Sequence, residues 1–232
     1  MRYRAESGDT EFDPLIHRVA QALAEAFAQS EQGVLPTYRN LWWITDNLPA
    51  LSALARYDRL FHQDLSKVKT RFLRSTRAYY LDANGLIASY IDPPAHRILQ
   101  GARGVEMGYA LHFLRDVDPQ FAREQFKAAR REFLRSAFGF AALREFPEGV
   151  KAAPDVDSGG ILFNFGAAAG GFGIGAAAVM GDEAMAERLL RSSAWLGMPT
   201  LNDNELCYQS MPPVGQAVIL FGKTELLKLQ TN

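Results

Sequence analysis

Two acidic loops and one helix face carry the side chains in this sequence best suited to moving protons. Asp155 and Asp157 lie in "PDVDSGG", and Asp46 lies in "WWITDN". Carboxyl groups on separate loops suit acid–base chemistry when their surroundings keep one protonated and the other ionised. Asp46 follows Trp42 and Trp43, whose rings could wall an apolar substrate and stabilise cationic character. The plainer role for Asp46 is a helix cap. Tyr38 and Arg39, in the loop before, are candidates for holding a polar substrate group. Glu106, Tyr109 and His112, with Arg103 just before, recur at helical spacing, so one face carries several polar groups. His112 on that face is a candidate proton carrier; its plainer role is a satisfied histidine at the core boundary. The run "LNDNELCYQS" adds Asp203, Glu205, Cys207 and Tyr208, of which Tyr208 is the candidate for substrate contact. A lone thiol with no assigned histidine is weak as a nucleophile.

Other chemistries fit less well. "DVD" lacks a third ligand at the spacing of a known cation loop. The single cysteine excludes an internal disulfide and a Cys-cluster zinc site. The expectation is therefore no metal and no cofactor. Gly171, Gly173 and Ala176 match G-x-G-x-x-A spacing, but the preceding strand-like "ILFNF" stands several residues away, and no second βα unit follows. The uncharged run from Ile161 to Met180 is long enough to span a bilayer. Its five glycines, alanines and Asn164 make it weakly apolar for that purpose. Glycine costs about 0.5–1 kcal/mol in a helix relative to alanine. So many of them point to close helix packing, with the preceding aspartates at the helix N-terminus, where a carboxylate is favoured.

The rest of the chain must position these groups. Its 232 residues, 48% hydrophobic and 22% charged, suit one globular domain spanning 1–232, with 1–12 as a flexible lead. A net charge of −1 gives no general attraction to nucleic acid or anionic lipid. The polar start "MRYRAESGDTEFDP" is no signal peptide, and the cysteine usage suits a reducing compartment, so the expected location is cytoplasmic. Helical periodicity dominates, with about eight helices between Pro/Gly loops. Asp13-Pro14 and Asp118-Pro119 mark helix starts, and Asn84-Gly85 marks a stop. Leu15, Val19, Leu23 and Phe27 recur every fourth residue and are expected to form a buried stripe. The expected fold is all-α: an array of α-hairpins forming an (α/α) toroid or barrel, complete or incomplete.

Three segments, "LPTYRNLWWITDNLPALSALARYD", "ARGVEMGYALHFLRDVDPQFA" and above all "REFPEGVKAAPDVDSGGILFNFGAAAGGFGIGAAA", resemble the linalool dehydratase/isomerase family of α/α-toroid proteins. The likeness runs from about residue 33 to 198 and is most specific at "FPEG…DVDSG". It implies concentric helices around a pocket lined by helix N-termini and their loops. Two departures bear on the reaction: the chain is short for a full ring, and the family's cysteine pair is reduced here to Cys207. The expected function is a cofactor-independent lyase/isomerase acting on a terpenoid-like or other small alcohol. The alternatives are a carbohydrate-active hydrolase or lyase using paired carboxylates, and a non-enzymatic helical scaffold. The expected partner is a small-molecule substrate, with no nucleic acid and no membrane span, in a monomer or homo-oligomer.

Overall fold

A computed structural model describes residues 1–150, 152–153, 158–202 and 205–231. Asp155, Asp157 and Asp203 lie outside the described residues. In chain order the elements are α1 (Arg2–Ser7), α2 (Asp13–Gln29), β1 (Trp42–Trp43), a 3-10 turn (Ile44–Asp46), α3 (Asn47–Phe61), α4 (Ser66–Tyr79), β2 (Tyr90–Asp92), β3 (Arg97–Gln100), α5 (Gly104–Val117) and α6 (Pro119–Phe133). They continue with β4 (Leu134–Ala137), β5 (Phe140–Leu143), β6 (Ile161–Leu162), β7 (Phe165–Gly166), α7 (Ala167–Val179), α8 (Glu183–Gly197), β8 (Pro199–Asn202), β9 (Glu205–Tyr208) and α9 (Pro213–Thr231).

The all-α toroid expectation is therefore overturned. The protein is 58% helical, but nine strands among the described residues form four small antiparallel sheets, making a mixed fold. The turns explain the difference. Phe138 and Gly139 have φ of 51° and 82°, and Phe163 and Asn164 have φ of 49° and 66°. Two successive left-handed residues build the tight turn whose twist matches a two-residue hairpin. Hence β4 pairs with β5 and β6 with β7 where helical periodicity was expected to run on or give way to loop. The uncharged run folds as β6, β7 and the 13-residue α7. No described helix is long and apolar enough to cross a membrane.

The chain forms two compact units: Met1–Gly101 with Phe113–Phe121, and Ala102–His112 with Ala122–Asn232. In the first, Leu48, Leu51, Leu54 and Ala55 of α3 are buried with Ala20 and Phe27 of α2 and Phe72 of α4. The α2 stripe is rotated from its expectation, because Leu15 and Val19 are 47% and 45% exposed. A row of i+4 steps drifts by about 40° per step on a helix of 3.6 residues per turn, so four such residues cannot all face one core. The buried row instead runs through Ala20 and Phe27, with half-buried His17 pairing its Nδ1 with Tyr57 Oη at 2.7 Å. Buried Asn47 accepts the Leu35 N–H at 2.7 Å and donates to Leu35 O at 3.1 Å, which ties the loop before β1 to the start of α3. Asp118 accepts the Phe121 N–H at 2.9 Å, so the Asp-Pro start of α6 is capped as read.

In the second unit α7 is the central helix, with Ala169, Gly171 and Gly173–Ala178 buried. Its glycines make two close approaches. Towards α9, a Cβ on Gly175 would lie 2.9 Å from the Phe221 ring, and one on Gly222 would lie 2.7 Å from Ile174. Towards α5 and β5, a Cβ on Gly108 would lie 3.0 Å from the Gly173 nitrogen, and one on Gly173 would lie 2.4 Å from Leu143. Close helix packing is what these glycines permit. Asp182 caps α8 by accepting the Met185 N–H at 3.0 Å.

Candidate functional site

The start of α5 meets the segment after β5 backbone to backbone. The Gly104 N–H donates to Glu145 O at 2.8 Å, and a Cβ on Gly104 would lie 1.9 Å from Arg144 O. Only glycine permits that approach, and it sets Arg103 beside Glu145. Both side chains are buried, with 1% and 0% of their surface exposed. Glu145 Oε1 accepts from Arg103 Nε at 2.9 Å and from Nη2 at 2.8 Å. Arg103 Nη2 also donates to Ser158 Oγ at 2.6 Å, and Nη1 lies 3.5 Å from Glu106 Oε1. Ser158 is itself fully buried.

Glu145 is anchored on both sides of its peptide. Its N–H donates to Asn164 O at 2.7 Å, and Asn164 also accepts the Phe146 N–H and donates to Phe146 O. Asn164, at φ 66°, closes the β6–β7 turn, so that hairpin holds the segment after β5 that bears the glutamate. Glu145 Oε2 stands 2.8 Å from the point a Gly166 Cβ would occupy, and Gly166 is the N-cap of α7. The carboxylate thus sits at the positive end of a 13-residue helix, where negative charge is favoured. Next in chain, Arg144 turns outward to exposed Glu148 at 2.8 Å, and that bond and charge hold the Glu148 carboxyl below its usual range.

A model of the linalool dehydratase/isomerase family matches residues 2–212. The chain belongs to that family. No curated protein matches it. In this member of the linalool dehydratase/isomerase family, Ser158 of the "DVDSG" run is held by Arg103.

The structure sorts the remaining site residues plainly. Arg103 and Glu106 come together, and Glu106, Tyr109 and His112 are half-buried along α5. Tyr109 packs edge-on against Phe172 with centroids 5.8 Å apart, and His112 packs edge-on against Phe221 at 4.6 Å. Tyr208 is buried and its Oη accepts from Lys223 Nζ at 2.8 Å. Cys207 is half-buried in β9 opposite Thr200.

Tyr38, Arg39, Trp42, Trp43 and Asp46 belong to the first unit. Tyr38 and Arg39 are exposed, and Tyr38 meets Trp43 edge-on at 6.2 Å. Trp43 stacks on Tyr90 at 4.8 Å, so one ring face is covered rather than open to a sugar. Asp46 is exposed and makes no capping bond to α3.

Sequence reasoning missed Glu145. The available signal was a glutamate set between Leu143 and Phe146 in "LREFPEG", with Gly104 far away in sequence to receive it. Among the described residues no group of three or more His, Cys, Asp or Glu side chains is arranged to hold a metal ion. A void of about 20 Å³ between α5, α6 and α7 is lined almost wholly by apolar atoms, including Met107, Leu111, Phe126 and Leu143. It has room for one water at most and offers no polar partner to fix one.

Proposed function

We propose that this protein is a cofactor-independent acid–base lyase/isomerase that removes and re-adds water on a terpenoid-like or other small alcohol. Family membership supports the reaction class. The observation that carries the choice of residues is the 2.6 Å contact between Arg103 and Ser158. It ties the end of the Asp155–Ser158 segment to a buried group holding one guanidinium and two carboxylates, Glu145 and Glu106. Asp155 and Asp157 are the proposed catalytic carboxylates. One protonates the leaving hydroxyl as the C–O bond breaks and water departs. The other takes a proton from the neighbouring carbon to form the alkene, and hydration at the far end of an allylic cation gives the isomer. Glu106, Tyr109, His112 and Tyr208 are proposed to hold or orient the alcohol, with Asp46 a separate candidate on the first unit.

The test is turnover of linalool, a tertiary allylic alcohol, followed by gas chromatography in 18O-labelled water. Alkene formation and 18O-labelled isomeric alcohol are expected. Asp155→Asn or Asp157→Asn lowers the rate about a hundredfold or more, with the circular dichroism spectrum unchanged. No turnover of linalool or of other small tertiary alcohols refutes the reaction. Full activity in both variants refutes the assignment of residues.

A further inference from the structure

One patch of the second unit joins exposed aromatic rings to a local excess of arginine. Phe138, the first residue of the β4–β5 turn, is 99% exposed, and Trp195 near the end of α8 is 74% exposed. A φ of 51° is unusual for a phenylalanine, and here it presents a large apolar ring at a solvated tip. The tip is held in place. Arg191 Nη1 donates to Gly139 O at 2.8 Å, and Ser192 Oγ accepts the Ala141 N–H at 3.1 Å. Between hairpin and helix runs a groove of about 380 Å³, lined by Phe140, Ala142, Phe165, Trp195 and Leu196, with Arg135. The rings of Phe140 and Trp195 lie 6.1 Å apart.

Residues 133–144 and 188–202 supply most of these walls. They contain Arg135, Arg144, Arg188 and Arg191 and no aspartate or glutamate. Glu148 pairs with Arg135 and Arg144; Arg188 and Arg191 have no carboxylate within ion-pair distance among the described residues. The net charge of −1 does not oppose an anionic partner here, because beyond a Debye length of about 10 Å the other charges are screened. A two-fold contact with a second copy would set this arginine-rich face against itself.

We propose that this patch docks the protein on an anionic lipid bilayer. Phe138 and Trp195 enter the boundary between headgroups and acyl chains, and Arg188 and Arg191 face the lipid phosphates. The binding is peripheral and independent of the proposed activity.

The experiment is co-sedimentation of the full chain with two kinds of vesicle: equal parts phosphatidylcholine and phosphatidylglycerol, and phosphatidylcholine alone. Pelleting is expected with the anionic vesicles, weakening as salt is raised, and little with the neutral ones. Phe138→Asn suits the left-handed tip and removes the ring, so partitioning falls about tenfold while the fold stays intact. Arg188→Gln with Arg191→Gln removes the preference for anionic lipid. Equal pelleting with both vesicles, no pelleting, or an undiminished Phe138→Asn variant overturns the proposal. So does a stable dimer in sedimentation velocity that Phe138→Asn dissolves, since a second copy would then be what covers the patch.

Discussion

Glu145→Gln isolates the buried ion pair. Glu145 is fully buried and its Oε1 accepts two charged hydrogen bonds from Arg103, at 2.9 and 2.8 Å. Removing one partner of a buried pair costs about 3–5 kcal/mol, because the other charge stays desolvated. Two features place this case at the low end. Glutamine keeps an acceptor oxygen, and Glu106 remains 3.5 Å from the guanidinium. The expected loss is about 3 kcal/mol, or about 6–12 °C in melting temperature at about 2–4 °C per kcal/mol for a chain of this size. Glu106→Gln is the control. Its side chain is 12% exposed and its contact is long, so its loss is about 1 kcal/mol or less. Thermal unfolding followed by far-ultraviolet circular dichroism reads both. Equal losses, or no loss in Glu145→Gln, would refute the view that Arg103 and Glu145 form the buried centre of this site. An Arg103→Met/Glu145→Leu double variant should be less destabilised than Glu145→Gln, since the fully buried guanidinium is gone and the carboxylate that loses it, Glu106, is partly exposed.

The α7 glycines separate by position. Gly173→Ala forces a methyl to 2.4 Å from Leu143 and costs about 1–3 kcal/mol, whereas Gly170→Ala meets nothing within 4 Å and gains about 0.5–1 kcal/mol of helix stability; chemical denaturation of the two should give opposite signs. Tyr80 is buried, its hydroxyl has no hydrogen-bond partner among the described residues, and burial, aided by Tyr79 and Asp92, pushes its phenol up to about 12. The folded state therefore favours neutral Tyr80: its contribution is complete below pH 10 and is lost as pH rises from about 10 to 12, by about 3 kcal/mol at most. Tyrosinate absorbance should show one late phenol, and Tyr80→Phe should remove it without lowering stability at neutral pH. Asp182→Ala removes the α8 cap and the 3.1 Å pair with Arg130, for a loss of about 1 kcal/mol by thermal melt.

Local signals carried the helices well and the sheets badly. Asp118-Pro119 reads correctly as a helix start because capping is a property of neighbours in sequence. The hairpins were hidden because their turns use Phe138-Gly139 and Phe163-Asn164, with an aromatic residue where Asn or Asp ordinarily marks the turn. On α2 the periodicity was sound but the burial phase was not, since a helix shows which residues share a face and only its neighbours decide which face is covered. The site divides in the same way. The Arg103–Glu106 pair follows from spacing on one helix. Glu145 enters only through the contact at Gly104, a tertiary event with no sequence period.

That contact also bears on the role proposed for the acidic segment. An aspartate before a glycine-rich helix has an ordinary explanation as the group that meets its free N–H dipoles. Here Gly166 occupies the N-cap of α7 with no side-chain cap, and Glu145 Oε2 already stands at that end. The missing side chain of Gly166 leaves room for it, since a Cβ there would sit 2.8 Å from that oxygen. With a carboxylate from the segment after β5 already at the helix terminus, capping of α7 does not call for Asp155 and Asp157, which lie eleven and nine residues before Gly166 in the sequence.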